Sequence, residues 1–594
     1  MRVADYIMQR LARAGVGHVF QVTGRGALFL SDALAKSCDL KAVSLHHEQS
    51  CAFAAVAYAE KRRGLGACLV STGCASTNTM TGVLTAWQDG IPCFFLSGQN
   101  TLRETTRFTG IRLRTYGQQE ADIVTLVSPV TKFAYMLTSP TDIVEAMDKA
   151  LHAALTGRKG PVWLDVPLDL QSSLIDASAI VDVKLDGATD ALAITEDVEH
   201  VTEDLRQAKR PVVLIGKGVR SAGAEALLRA FVEAWNIPVT FSASAPDSYG
   251  TAYRLSIGSV GAMGCSRAGN FAVQNADYVL VLGSRLGSLT TGTDYCKFAR
   301  AARVTVVDID PVEHSKAGIR IDRLIPADLH AFLGALQKKP AKPVPEAWVE
   351  KCLHWKALFA MVEPAFDSPD VVDLYQLADR LSDLMPVGTT LLTDSGLAEV
   401  ILPTNIRFKE GIDCVHPASQ GAMGFALPAA VGAQHASHGT VLAVIGDGSI
   451  MMNLQELESI RYQRLPIKLI IINNNVYSII RRRQRDLFRK RTIGTDPASG
   501  VSCPDFKKVA DCFGFHYQRI ENVTDLDAGL KALFEHPGPV LCELIGREDQ
   551  DYIELGMTRS SKDGRLIRRP LEDQVPFLSR DIFLREMLVA PIDQ

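Results

Sequence analysis

Short apolar runs alternate with amphipathic stretches through the first part of the chain. Val3 to Ala14 patterns as a helix, "HVFQV" as a strand, Leu28 to Lys36 as a helix and "KAVSL" as a strand. A helix from Glu48, the strand "GACLVS", a helix through "TNTMTGVLTAWQ" and the strand "PCFFLSG" follow. Short buried strands between helices predict a parallel sheet covered on both faces. A second block begins after about Val183 with "RPVVLIGKGV", "IPVTFS", "ADYVLVLGSRLG" and "ARVTVVDIDP". Several of these strands end in glycine, as in nucleotide-binding α/β domains. "LQKKPAKPVPEAW", Leu336 to Trp348, is rich in Pro and Lys and reads as a linker. A third block holds "GTTLLTDSG", "VLAVIGDGS", "PIKLIIINNN" and "GPVLCELIG", and a polar tail runs from about Arg547 to Gln594. The expected fold is α/β, with three doubly wound parallel-sheet domains at 1–180, 190–340 and 360–550 and a C-terminal tail at 551–594.

Composition narrows the partners. With 47% apolar and 22% charged residues and a net charge of −4, the chain has no global electrostatic footprint for nucleic acid, and a small-molecule partner is expected. The 12 cysteines form no CxxC pair, which fits a reducing, cytoplasmic setting rather than a disulfide framework or a zinc site. No apolar run approaches the roughly 18 residues of a membrane span, so no membrane partner is expected. The start, "MRVADYIMQRLARAG", is amphipathic and reads as a first helix, not a signal sequence.

Two features stand out against this background. In "LHHEQSCAFAAVAYAE" a helix built for burial begins with a carboxylate, Glu48, with no basic residue beside it. Capping of the helix start is one explanation. The other feature is "GDGSIMMNLQELESIRYQRLPIKLIIINNN", Gly446 to Asn475, in which Asp447 and Asn474 lie 27 positions apart. A βαβ unit of that length brings both strand ends to one sheet edge, where ligands of open α/β sheets bind. One carboxylate with amide and backbone oxygens suits Mg²⁺, and the glycines let backbone approach a diphosphate. GDG alone would pass as an ordinary turn.

With both halves present, the segment resembles the signature of thiamine diphosphate-dependent enzymes, and the resemblance extends over nearly the whole chain. It implies pyrimidine-binding, central nucleotide-binding-like and diphosphate-binding domains. It also implies Mg²⁺ on Asp447, Asn474 and the carbonyl of Val476, with Gly446, Gly448, Ser449 and Asn473 around the cofactor. Glu48, in its "HEQ" context, would bond N1′ of the aminopyrimidine from within apolar walls and so activate the cofactor. Because that Glu and the GDG come from different subunits in the family, a homodimer or homotetramer is implied.

Further landmarks look like the acetolactate synthase branch: "VFQVTGRGALFLSDAL", "STGCASTNTMTGVLTAWQDGIPCFFLSGQ", "GRKGPVWLDVPLDLQ" and "YGQQEADIV". They imply a cofactor-side Gln119, pyrimidine contacts at Gly421 and Met423 in "QGAMGFALPAAVGA", and a diphosphate turn at Ser395 and Gly396. The branch carries FAD in its middle domain, at positions matching Arg158, Gly216, Gly218, Gly283, Arg285 and Asp308, although relatives keep that domain without FAD. Two departures bear on the substrate. Leu286-Gly287-Ser288-Leu289 replaces the "FDDR" whose arginine holds the carboxylate of a second 2-keto acid. The channel tryptophan is also missing, and "SIIRRRQRDLFRKR" brings seven basic residues, Arg481 and Arg485 among them. That run is either a solvated face or, with Arg25, a site for a phosphorylated acceptor. Together these features resemble acetolactate-synthase-like enzymes of surface-sugar pathways. The implied reaction is decarboxylation of pyruvate and transfer of the two-carbon unit to a carbonyl acceptor, a nucleotide-linked keto-deoxysugar. Acetolactate synthase, a 2-keto acid decarboxylase and a non-catalytic cofactor-binding paralogue are the alternatives.

Overall fold

The helix Glu48–Arg62 is buried on every face from Ser50 to Ala59, because its small side chains let other backbones come close. On one side lies the similarly small-residue helix Ala426–Ala436, where a Cβ on Gly432 would stand 2.0 Å from the Ala54 carbonyl oxygen. The rings of Phe53 and Phe425 meet edge to face at 5.2 Å. On another side, a Cβ on Gly82 would come within 2.3 Å of Ala52. The first and third parts of the chain thereby share one apolar core.

The structure, a computed structural model, describes residues 1–176, 194–359, 362–559 and 566–592. The expected start of the second block, after about Val183, lies outside the described residues, as does part of the tail. Three six-stranded sheets are present, every pairing within them parallel. Counted along the chain within each domain, the first and third sheets run in the order 2-1-3-4-6-5 and the central one 3-2-1-4-5-6. Strand order reverses between His18–Gln21 and Gly66–Val70 in the first sheet. It reverses between Pro211–Ile215 and Tyr278–Leu282 in the central sheet, and between Thr390–Thr393 and Val441–Gly446 in the third. Such reversals leave a crevice at the carboxyl ends of the strands, and ligands of these folds bind there.

One expectation needs correction. The linker is shorter than Leu336 to Trp348, because the helix Glu346–Leu358 starts behind Pro345 and Trp348 is buried, donating its indole N–H to the Pro211 carbonyl at 2.8 Å. The polar tail packs on the central domain. Leu571 and Phe583 enter the central core, and Gln574 meets Asn270 at 2.9 Å while its carbonyl accepts from Arg267 at 3.1 Å.

Candidate active site

In the third sheet, three adjacent strands, Thr390–Thr393, Val441–Gly446 and Lys468–Asn473, deliver Asp394 to Gly396, Gly446 to Gly448 and Asn473 to Asn475 to the same edge. Asp447 Oδ1 accepts from the Gly448 N–H at 2.7 Å, and Oδ2 accepts from those of Asn474 at 3.1 Å and Asn475 at 2.5 Å. The last contact needs the left-handed turn at Asn475, φ +56°. Asn474 Oδ1 accepts from the Val476 N–H at 3.3 Å, and its amide donates to Ser478 at 2.7 Å. Asp447, Asn474 and Val476 are thus gathered at one turn. Burial pushes the Asp447 carboxyl up, and no cationic side chain of the described residues is bonded to it. A divalent cation suits a carboxylate placed so.

The expected cofactor positions around this turn divide. A Cβ on Gly396 (φ +86°) would meet nothing within 4 Å, and one on Gly446 only Ser449 at 4.0 Å, so both backbones border open space. Gly448 is glycine for another reason: a Cβ there would fall 2.0 Å from the Tyr477 ring. Asn473 turns its amide to Glu543 at 2.6 Å, away from Asp447. Ser449 donates to Asp394 at 2.6 Å and accepts from the Gly424 N–H at 3.0 Å. Asp394 also accepts from the N–H groups of Ser395, Gly424 and Ala426. This aspartate, pushed up to about 6 by burial, ties the Ser395 turn to the strip holding Gly421 and Met423. Sequence reasoning did not single it out, although its place at a strand end beside Ser395 was a signal.

On the first domain, Glu48 opens its helix without capping it. Its Oε2 accepts from the Asn78 amide at 2.9 Å, and the residue is half-buried rather than enclosed by apolar walls. The adjoining residues dock on Asn453 of the third domain: its Oδ1 lies 3.1 Å from Ser50 Oγ and 3.3 Å from His47 Nδ1, while its amide donates to Gln49 and to the Gly424 carbonyl. Gln119, at φ +59°, lays its carbonyl over Gly73, where a Cβ would sit 1.6 Å away. Arg25 bonds the neighbouring Gln118. No hydrogen bond or ion pair joins Glu48 to Asp447 or Asn474 among the described residues of one chain.

A cavity of about 750 Å³ occupies the switch point of the central sheet and reaches both other domains. Gly218 and Gly283 line it and pack on Gly216, where a Cβ would fall 2.3 Å from the Gly283 carbonyl oxygen. Arg158 crosses the cavity to Asp310 at 3.0 Å and Glu313 at 2.5 Å. Arg285 donates to Ser419 at 2.8 Å, and Asp308 faces His314 at 3.2 Å.

The arginine run begins in the helix Ser478–Leu487, where three of the four arginines meet carboxylates and the fourth, Arg483, reaches the Met263 sulfur at 3.7 Å. Arg481 bonds Glu548 and, at 2.9 Å, Asp549; Arg485 reaches Asp549 at 2.9 Å. Arg482 meets Asp551 at 3.1 Å and Glu554 at 3.0 Å and lies over the Tyr552 ring. Arg481 and Arg485 are therefore both paired with exposed carboxylates.

Three family profiles match the chain: the thiamine pyrophosphate (thiamine diphosphate) enzyme N-terminal binding domain over residues 1–126, the central domain over 198–336 and the C-terminal binding domain over 394–544. The chain is 31% identical over 544 residues to the acetolactate synthase isozyme 2 large subunit of Escherichia coli (strain K12), covering 91% of this chain and 95% of that one. It is 30% identical over 561 residues to a probable chloroplastic acetolactate synthase 2 of Oryza sativa subsp. japonica, covering 91% and 82%. With the acetolactate synthase large subunit of Porphyra purpurea it shares 29% identity over 562 residues and 92% of each chain.

Proposed function

The chain belongs to the thiamine pyrophosphate enzyme family, in its acetolactate synthase-like branch, and from that premise we propose that it is a Mg²⁺-dependent decarboxylating carboligase acting on pyruvate. The observation that carries this reading is the turn at Asp447, Asn474 and Val476 beside the open backbones of Gly396 and Gly446, at a strand-order reversal. When bound, thiamine diphosphate supplies the electron sink that lets a 2-keto acid lose carbon dioxide. Asp447, Asn474 and the Val476 carbonyl hold Mg²⁺ against the diphosphate, and Ser395, Gly396, Gly446 and Gly448 offer it backbone N–H groups. Gly421 and Met423 hold the pyrimidine. Glu48 shares a proton with the pyrimidine N1′, with Gln119 beside it. Because Glu48 is half-buried in one chain, a second copy completing its enclosure in a homodimer or homotetramer accords with this role. The central cavity has the size of a dinucleotide site, and we assign it to FAD, contacted by Arg285 and Asp308 and with Arg158 released from its acids.

The similarity to acetolactate synthases over most of the chain favours a second 2-keto acid as acceptor. One observation favours a nucleotide-linked keto-deoxysugar instead: Leu289, half-exposed at the cavity, stands where those enzymes carry the carboxylate-binding arginine. The matched charges of Arg481 and Arg485 weaken that second reading. Product analysis separates the two. Purified protein with pyruvate, thiamine diphosphate and Mg²⁺ is expected to form acetolactate at a rate unaffected by an added nucleotide-linked 4-keto-6-deoxysugar. Carbon dioxide release that depends on the sugar, with a heavier sugar nucleotide formed, would transfer the assignment to the sugar.

A further inference from the structure

In the third domain the largely buried carboxyl of Glu399, its side chain 15% exposed, faces the buried ring of His416. Glu399 lies in the first turn of the helix Leu397–Asn405, directly after the turn at Ser395 and Gly396. Its carboxyl makes no hydrogen bond to the described residues. Oε2 stands 3.2 Å from the place a Cβ on Gly421 would occupy, so carboxyl and pyrimidine strip share a wall. Oε1 points at Nδ1 of His416, 3.9 Å away. His416 is 3% exposed. Its Nε2 is 3.0 Å from the Ala243 carbonyl and so carries the proton, which leaves the Nδ1 lone pair buried and unbonded. Beyond this pair, Ala243, Ala418 and Ser419 line the central cavity.

The surroundings favour the protonated form of this carboxyl. Burial is the main cause, and the carboxylates of Asp89, from the first domain, and Asp394 add to it, so Glu399 is held well above the usual carboxylate range. The nearest cations act on His416 and are engaged elsewhere: Lys217 with Glu60 at 2.9 Å, and Arg220 with Asp247 and Asp413. A largely buried carboxyl lacking donors and cations costs stability, and a neutral acid beside a cofactor strip is a recurring device for proton transfer.

We propose that Glu399 is a further acid–base residue of the ligation, with His416 as its positioning residue. This rests on the carboligase reading above. As the new carbon–carbon bond forms, the acceptor carbonyl oxygen gains an electron pair and takes the Glu399 proton. As product leaves, the hydroxyl on the transferred two-carbon unit returns a proton to Glu399 and its oxygen becomes the product carbonyl. Protons balance over the cycle, and no redox partner is needed.

The test pairs wild type with Glu399→Gln and Glu399→Asp. In apoprotein at pH 7.5, the infrared C=O band of a neutral carboxylic acid is expected in the wild type, reduced in Glu399→Gln and shifted in Glu399→Asp. In the loaded enzymes, Glu399→Gln is expected to keep cofactor affinity, read by fluorescence titration, and to keep C2 proton exchange. Its ligation rate should fall about 10²–10⁴-fold, the usual contribution of a general acid–base group. The wild-type rate should decline as pH rises through the Glu399 pKa, and that limb should vanish in Glu399→Gln and persist, displaced, in Glu399→Asp. Unchanged infrared bands, or an unchanged rate and pH limb in Glu399→Gln, overturns the assignment while the carboligase reading stands. Loss of cofactor binding in both variants overturns it in favour of a structural role. Wild type that exchanges the C2 proton but ligates nothing overturns the carboligase reading itself.

Discussion

At Glu48 the residue type, its position and its neighbours have separate physical origins. Small residues after it bury the helix, Asn453 fixes its start to the third domain, and among the described residues Asn78 alone bonds its carboxylate. Glu48→Gln keeps the Asn78 contact through its amide oxygen and removes only the proton-sharing group. We expect it to fold with wild-type stability and to lose C2 proton exchange on bound cofactor by at least about 10²-fold, measured by deuterium incorporation; exchange at the wild-type rate would remove Glu48 from the chemistry. Gly448 makes a steric prediction. Because its Cβ would overlap the Tyr477 ring, Gly448→Ala should cost about 1–3 kcal/mol, the range for overpacking, and weaken cofactor binding. Adding Tyr477→Ala should restore much of the stability, which a thermodynamic cycle from urea unfolding would register. The GDG–NN pair was legible in the sequence because its spacing is fixed by one βαβ unit. Asp394, Glu399 and Asn453 were not, because their partners lie tens to hundreds of positions away and only folding brings them together.

The helix Ser478–Leu487 changes meaning once its neighbours are known. Read along the chain, it is a block of positive charge; in the fold it is one half of a lattice whose other half is Glu548, Asp549, Asp551 and Glu554. The same acidic segment bonds the central domain, through Gly264 N–H to the Ile553 carbonyl at 2.6 Å and Leu555 N–H to the Ala262 carbonyl at 3.0 Å. It therefore straps the helix that follows the Asn473–Asn475 turn to the central domain. Single exposed ion pairs contribute little, but a network that also orders a segment is expected to respond to salt. Arg481→Glu combined with Arg482→Glu should make 547–556 several-fold more susceptible to limited proteolysis, and high salt should do the same to wild type. Equal cleavage rates in all cases would show that the backbone bonds alone hold the strap. Charge complementarity between segments 64 to 68 positions apart carries no local signature, which is why the run admitted two readings. The packing of the tail was illegible for a similar reason: Leu571 and Phe583 are isolated apolar positions in a polar stretch, and only the central core gives them a partner.

Across the whole molecule, strand order repeats between the first and third domains, while the central sheet reverses elsewhere. The α/β class and three sheets were readable from periodicity, because buried parallel strands are short apolar runs. Strand order and domain contacts were not, since they depend on crossovers and on which small-residue helices meet. Two of those contacts place histidines at junctions. His18, on the first strand, stacks near His435 of the third domain at 4.9 Å, and His416 joins the third domain to Ala243 of the central one. Burial pushes both His18 and His416 down to about 4, with Lys41 and Arg62 adding to it at His18 and Lys217 at His416. A histidine held neutral in the fold binds fewer protons than it does unfolded, so its contribution is complete above its ordinary value near pH 6.5 and is lost as pH falls towards about 4. For the fully buried His416 the loss is on the order of 3 kcal/mol, and for the half-exposed His18 it is smaller after solvent screening. The urea midpoint should therefore fall between pH 6.5 and 4, with His416→Gln flattening a large share of that slope. If the midpoint falls with the same slope in His416→Gln, the acid sensitivity belongs to other groups and the junction does not depend on a neutral imidazole.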